Sequence, residues 1–149
     1  MAIYELEVRG RASHAGVEPE KGINATAEVS AQVLDILTIG DRSAGTSVVP
    51  TVMTSGTTTN TVPAAAKVGI DSRAVQVEEQ RRVDAALRML KPKHPGAKLL
   101  LRGGINRPPF ETKHSMNLYA RAQRIAGRLG HPPLLSLIHI SEPTRLGMI

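Results

Sequence analysis

The 149 residues contain no cysteine and no tryptophan, and their aromatic side chains are Tyr4, Phe110 and Tyr119 alone. Without cysteine there is no disulfide framework, no thiolate metal site and no cysteine nucleophile, a composition that fits a reducing compartment. With so few aromatics the chain lacks the stacking platforms on which RNA-binding sheets hold bases. No apolar run approaches the ~20 residues that a membrane helix needs. The start, Met1 to Glu5, has neither the basic opening nor the apolar stretch of a secretory signal. The expectation is a cytoplasmic protein with no membrane and no nucleic-acid partner. The net charge of +6 is assigned to a solvated basic surface. Arg81, Arg82, Arg88, Lys91 and Lys93 lie on or just after one predicted helix, mixed with Glu78, Glu79 and Asp84.

Aliphatic patterning supplies the fold. Tyr4, Leu6 and Val8 alternate with Glu5, Glu7 and Arg9, so a strand over about 3–9 has one oily face and one wet face. A helix is predicted over 23–39, with Ile23, Ala27, Leu34 and Leu37 near helical spacing and Val33 and Ile36 widening the stripe. A second strand covers about 46–54, and Pro50 within it marks an edge or bulged strand. A third follows Pro63, with Ala66, Val68 and Ile70 on one face. A second helix spans about 77–91, burying Val83, Leu87 and Leu90, and a fourth strand covers 97–102 before Gly103-Gly104. The order strand, helix, strand, strand, helix, strand is the split βαβ pattern of an α+β, ferredoxin-like sandwich, with a four-stranded antiparallel sheet and two helices on one face.

A third helix, about 113–129, carries the apolar seam Leu118, Ala122, Ile125 and Leu129. The sandwich already has two covering helices, so this seam requires a partner from elsewhere. The organisation read from the sequence is a sandwich over 1–108, a segment leading into a further domain over 109–134, and a non-native tail over 135–149.

Small residues bracket one imidazole in Gly10-Arg11-Ala12-Ser13-His14-Ala15-Gly16. An imidazole at a strand end with little bulk beside it can reach a ligand or another chain. This stretch, followed by Glu18-Pro19-Glu20-Lys21-Gly22-Ile23-Asn24-Ala25, resembles the opening of the dimerisation (lid) domain of M20-family metallopeptidases, as in glutamate carboxypeptidases and related deacylases. Gly56-Thr57-Thr58-Thr59-Asn60-Thr61-Val62-Pro63, Asp71-Ser72-Arg73 and Asn106-Arg107-Pro108-Pro109-Phe110 continue the resemblance in the same order.

The resemblance implies amide hydrolysis next to a free carboxylate, at two zinc ions in the full-length parent, with a glutamate as general base. It implies a homodimer whose lid reaches into the partner's reaction centre, and a small N-acyl amino acid or peptide as substrate. His14 is carried over as the oxyanion-stabilising catalytic residue acting in trans. Asn60 is carried over as a substrate contact and Arg107 as the fork that grips the substrate carboxylate. Arg73 matches a further family arginine, read as a substrate-side or supporting residue. The family's metal ligands, a His-x-Asp segment and a Glu-Glu pair among them, have no counterpart here. Glu78-Glu79, in the first turn of a predicted helix, is read as carboxylates facing the positive helix end. His94, His114 and His131 are read as solvated. This chain alone is therefore expected to bind no metal and to be inactive. The alternative is a free-standing ferredoxin-like oligomerisation or ligand-binding module without catalysis.

Overall fold

In the computed structural model, which describes residues 1–132, the alternating N-terminal stretch forms β1 (Ala2–Arg9). The elements that follow are β2 (Ser13–His14), a 3-10 turn (Pro19–Lys21), α1 (Ala25–Ile39), β3 (Ser47–Ser55), β4 (Thr61–Val62), β5 (Ala65–Arg73), α2 (Val77–Arg88), β6 (Lys98–Ile105) and α3 (Thr112–Arg128). Four strands make an antiparallel sheet in the order β3-β5-β1-β6. β1 is central, with Leu6 opposite Val68 on one side and Leu101 on the other. The fold is the expected α+β sandwich.

The two-residue period decides what is buried. Tyr4, Leu6 and Val8 of β1 and Ala66, Val68 and Ile70 of β5 pack with Val29 and Ile36 of α1 and Val83 and Leu87 of α2 in one core. Burying each larger aliphatic side chain contributes about 2 kcal/mol. The other face of the sheet carries charged pairs, Lys67 with Glu5 at 3.2 Å and Arg9 with Glu7 at 2.6 Å. β3 is an edge strand, and its register slips between Pro50 and Val52. Proline cannot donate to a ladder, so the edge is where it fits.

Several expectations are corrected. α1 starts at Ala25 because the Asn24 side chain accepts from the Thr26 and Ala27 amides at 2.9 and 3.1 Å, an N-cap that leaves Ile23 outside the helix. The buried line of α1 is Ala25, Glu28, Val29, Gln32 and Ile36, and Leu34 and Leu37, expected inside, are 67% and 54% exposed. The last strand of the sheet runs through its glycines to Ile105 instead of stopping at them. Gly103 adopts φ +88°, and a side chain there would meet the Ile3 carbonyl. His94 is not simply solvated: its Nδ1 lies 2.6 Å from the buried carboxylate of Glu28.

The chain divides into two compact units, Met1–Pro109 and Phe110–Ile149. In the second, α3 leaves Leu118 and Ile125 exposed, as is Leu129 at its C-cap, and the expected tail over 135–149 lies outside the described residues. No described helix is long and apolar enough to cross a membrane.

Candidate functional site

β1 ends at Arg9, and Gly10 turns the chain. The Gly10 amide donates to the Ala64 carbonyl at 2.8 Å, and a methyl on Gly10 would strike the Ile23 carbonyl oxygen. Glycine is what allows this close approach of backbone to backbone. The chain then runs as β2 beside β4, with Ser13 opposite Val62 and His14 opposite Thr61. Neither short strand was evident from the sequence, since two residues carry no period. Gly22 closes the back of this ribbon, where any side chain would collide with Ser13 Oγ and Val62. Ser13 Oγ is buried there and has no hydrogen-bond partner among the described residues.

The ribbon sets the state of the imidazole. The Gly16 amide donates to His14 Nδ1 at 3.2 Å. A ring nitrogen that accepts carries no proton, so the neutral ring holds its proton on Nε2 and offers it as a donor. His14 itself is exposed. Its carbonyl accepts from the Glu18 amide at 3.0 Å, and the next amide, that of Ala15, donates to the Asn60 carbonyl at 2.9 Å. His14 and Asn60 are both exposed, and the Asn60 main chain is held one step along the ribbon from Thr61, the residue opposite His14. The locking amide of Gly16 was missed in the sequence, although a small residue two places after a histidine was its trace.

Arg73 and Arg107 sit elsewhere. Arg73 ends β5 next to Ser72, which pairs with Ala2 at the start of β1. The Asn106 and Arg107 amides donate to the Met1 carbonyl at 3.2 and 3.3 Å. Both guanidiniums act on the Met1 amine, which burial first and then Arg107 and Arg73 push below its ordinary value. Arg73 Nε also holds Asp71 at 3.1 Å. The four residues expected at the site thus fall into two pairs, one past each end of β1. An eight-residue strand spans about 25 Å, which is well beyond what an arginine side chain can bridge.

Tyr4 and Glu79 do structural work. Burial and the Asp84 carboxylate, which accepts from the Tyr4 hydroxyl at 3.0 Å, raise the Tyr4 phenol above its ordinary range. Glu79 is held low mainly by Arg82 and by the Thr46 hydroxyl. Among the described residues no three His, Asp or Glu side chains are grouped so as to hold a metal ion. The described residues do not fit the two zinc ions that the resemblance implies.

Comparison with known proteins follows the same lines. The profile of the peptidase dimerisation domain, M20_dimer, matches residues 1–95. Carboxypeptidase G2 of Pseudomonas sp. (strain RS-16) is 33% identical over 99 residues, which are 66% of this chain and 23% of that protein. The chain therefore spans about a quarter of the curated relative it matches. Among solved structures, the aminobenzoyl-glutamate utilization protein of Klebsiella pneumoniae is 25% identical with a TM-score of 0.58, covering 89% of this chain and 34% of that one. An amidase of the hydantoinase/carbamoylase family from Burkholderia multivorans shares the fold at a TM-score of 0.67 and 22% identity, over 88% of this chain and 33% of its own. With the family profile matching residues 1–95, the chain belongs to the M20 peptidase dimerisation-domain family.

Proposed function

We propose that this chain is the lid of a cytoplasmic, zinc-dependent amidohydrolase or carboxypeptidase of the M20 type, which cleaves an amide bond next to a free carboxylate in an N-acyl amino acid or small peptide. The zinc pair would be held by residues outside this chain, and taken alone the chain would not turn over substrate. The observation that carries the reading is the exposed His14 ring, its Nδ1 engaged by the Gly16 amide so that Nε2 is left to donate, with the Asn60 main chain tied to the next residue by the Ala15 amide. As the scissile carbonyl oxygen takes up negative charge, Nε2–H of His14 donates to it. Loss of such a donor lowers turnover by about 10²–10³-fold. The Asn60 amide can donate and accept, and orients the substrate. Arg107, with Arg73 beside it, binds the free carboxylate through its planar fork.

The separation of the two pairs defines the assembly we propose. One reaction centre takes His14 and Asn60 from one copy and the arginines from its partner, in a symmetric homodimer. The edge of β3 and the exposed Leu34 and Leu37 of α1 would supply the contact.

Subunit mixing tests this in the full-length hydrolase. His14→Ala and Arg107→Ala homodimers are each expected to be impaired. In a mixed dimer one centre collects both defects and the other neither, so activity per dimer returns to about half of wild type. If all four residues served one centre from a single copy, every centre would keep one defect. No recovery in dimers shown to have exchanged would refute the shared centre.

A further inference from the structure

The buried line of α2 is Gln80, Val83 and Leu87. Two of these are the apolar residues the helix needs, and the third is an amide only 3% exposed. Burying an amide is unfavourable unless its donors and acceptors are met, and an apolar residue of the same length would fill the space without that cost. The amide must therefore be aimed at something. Its Nε2 donates to the main-chain carbonyl of Arg107 at 2.9 Å, 27 residues further along the chain.

That carbonyl also accepts from the Met1 amine at 3.1 Å, and the residue is restrained on its N-terminal side, where the Asn106 and Arg107 amides both donate to the Met1 carbonyl. Pro108 and Pro109 follow, and their rings fix φ. The main chain of Arg107 is thus held from Met1, from α2 and by its own successors, while its side chain stands exposed. An arginine that must meet a carboxylate with both prongs depends on where its Cα sits, because the guanidinium is rigid only in its own plane.

We propose that Gln80 is a positioning residue for substrate binding: by holding the Arg107 carbonyl from the interior, it places the guanidinium that receives the substrate carboxylate. The inference rests on the carboxylate-binding reading of Arg107. Gln80 touches no substrate and acts only through that main-chain bond.

The test compares an N-acyl amino acid with its C-terminal carboxamide in the full-length hydrolase. Arg107→Ala is expected to remove the preference for the acid. Gln80→Met keeps the length of the side chain and removes the donor. It should raise KM for the acid by about three- to tenfold, the range of one neutral hydrogen bond, with kcat within about twofold and KM for the carboxamide unchanged. Adding Gln80→Met to Arg107→Ala should change nothing further, since both act through one contact. Gln80→Asn, which keeps an amide but falls a methylene short, should move KM in the same direction and guards against a Met variant that folds poorly. If either Gln80 variant lowers the melting temperature while the acid preference stays intact, or raises KM for both substrates alike, Gln80 is merely structural and the inference is overturned. If Arg107→Ala itself leaves the acid preference intact, the reading of Arg107 falls, and that arm alone identifies the failure.

Discussion

The carboxylate of Glu28, fully buried on α1, accepts from the His94 ring at 2.6 Å and from the His94 main-chain amide at 2.8 Å. The Lys93 amide donates to both of its oxygens at 3.1 Å, and Gln32 Nε2 donates at 2.7 Å while also reaching the Lys91 carbonyl. One helical carboxylate therefore shapes the loop that joins α2 to β6. Burial pushes the Glu28 carboxyl up, but the donors from Gln32, His94 and Lys93 outweigh it and leave it below the ordinary range. A carboxyl depressed in the folded state stabilises the fold above its unfolded value, about 4.3. That contribution is lost as pH falls through the lower folded value.

Unfolding of the chain in urea should show this. Glu28→Gln leaves several donors facing an amide and should cost about 2 kcal/mol at pH 7. The gap between wild type and variant should narrow on acidification below about pH 4, as wild type loses what the variant never had. A gap that stays constant to pH 2.5 would mean that Glu28 is not ionised in the fold.

Ser13 lies inside the motif that displays His14, yet its buried hydroxyl has no partner among the described residues. Ser13→Ala is therefore expected to leave stability unchanged or raise it by about 1 kcal/mol. The same substitution should partly rescue Gly22→Ala, whose methyl would press on Ser13 Oγ and Val62. Thermal melts of the two single variants and the double variant measure the coupling. A clear loss of stability in Ser13→Ala would expose a partner for the hydroxyl.

Self-association should depend on β3 and on the outer face of α1. Val52 is 66% exposed and Leu37 54%, so Val52→Lys and Leu37→Glu should alter the stability of a single copy by no more than about 0.5 kcal/mol. In an isologous contact each change appears twice and puts charge into an apolar surface, which is unfavourable to bury. Sedimentation at increasing concentration should find wild type as a dimer and the paired variant as a monomer. A dimer that survives both substitutions would place the contact on another surface.

Where the sequence could be read and where it could not follows from the physics of each position. The alternation in β1 and β5 is strict because one face meets the helices and the other meets water, and such strands announce themselves. α1 misled because its core positions include Glu28 and Gln32, polar groups whose partners arrive from a loop some sixty residues away. Leu34 and Leu37 carried the apolar signal and point outward. The same pattern, a polar residue on a core period, recurs at Gln80 in α2. At the candidate site, the residue types of His14, Asn60, Arg73 and Arg107 were legible through the motifs. Their separation into two pairs was not, because it depends on which end of β1 each loop returns to. His94 looked isolated because its partner lies on a different element.

The glycine at positive φ in β6 has a consequence for assembly. Gly103 departs from extended backbone, and its carbonyl is taken by Arg88 Nη2 at 3.4 Å. That margin of the sheet is blunted, and the β3 margin is interrupted by Pro50 and the slip that follows it. A sheet with both margins interrupted can add a neighbour over only a short run of strand, which works against fibres.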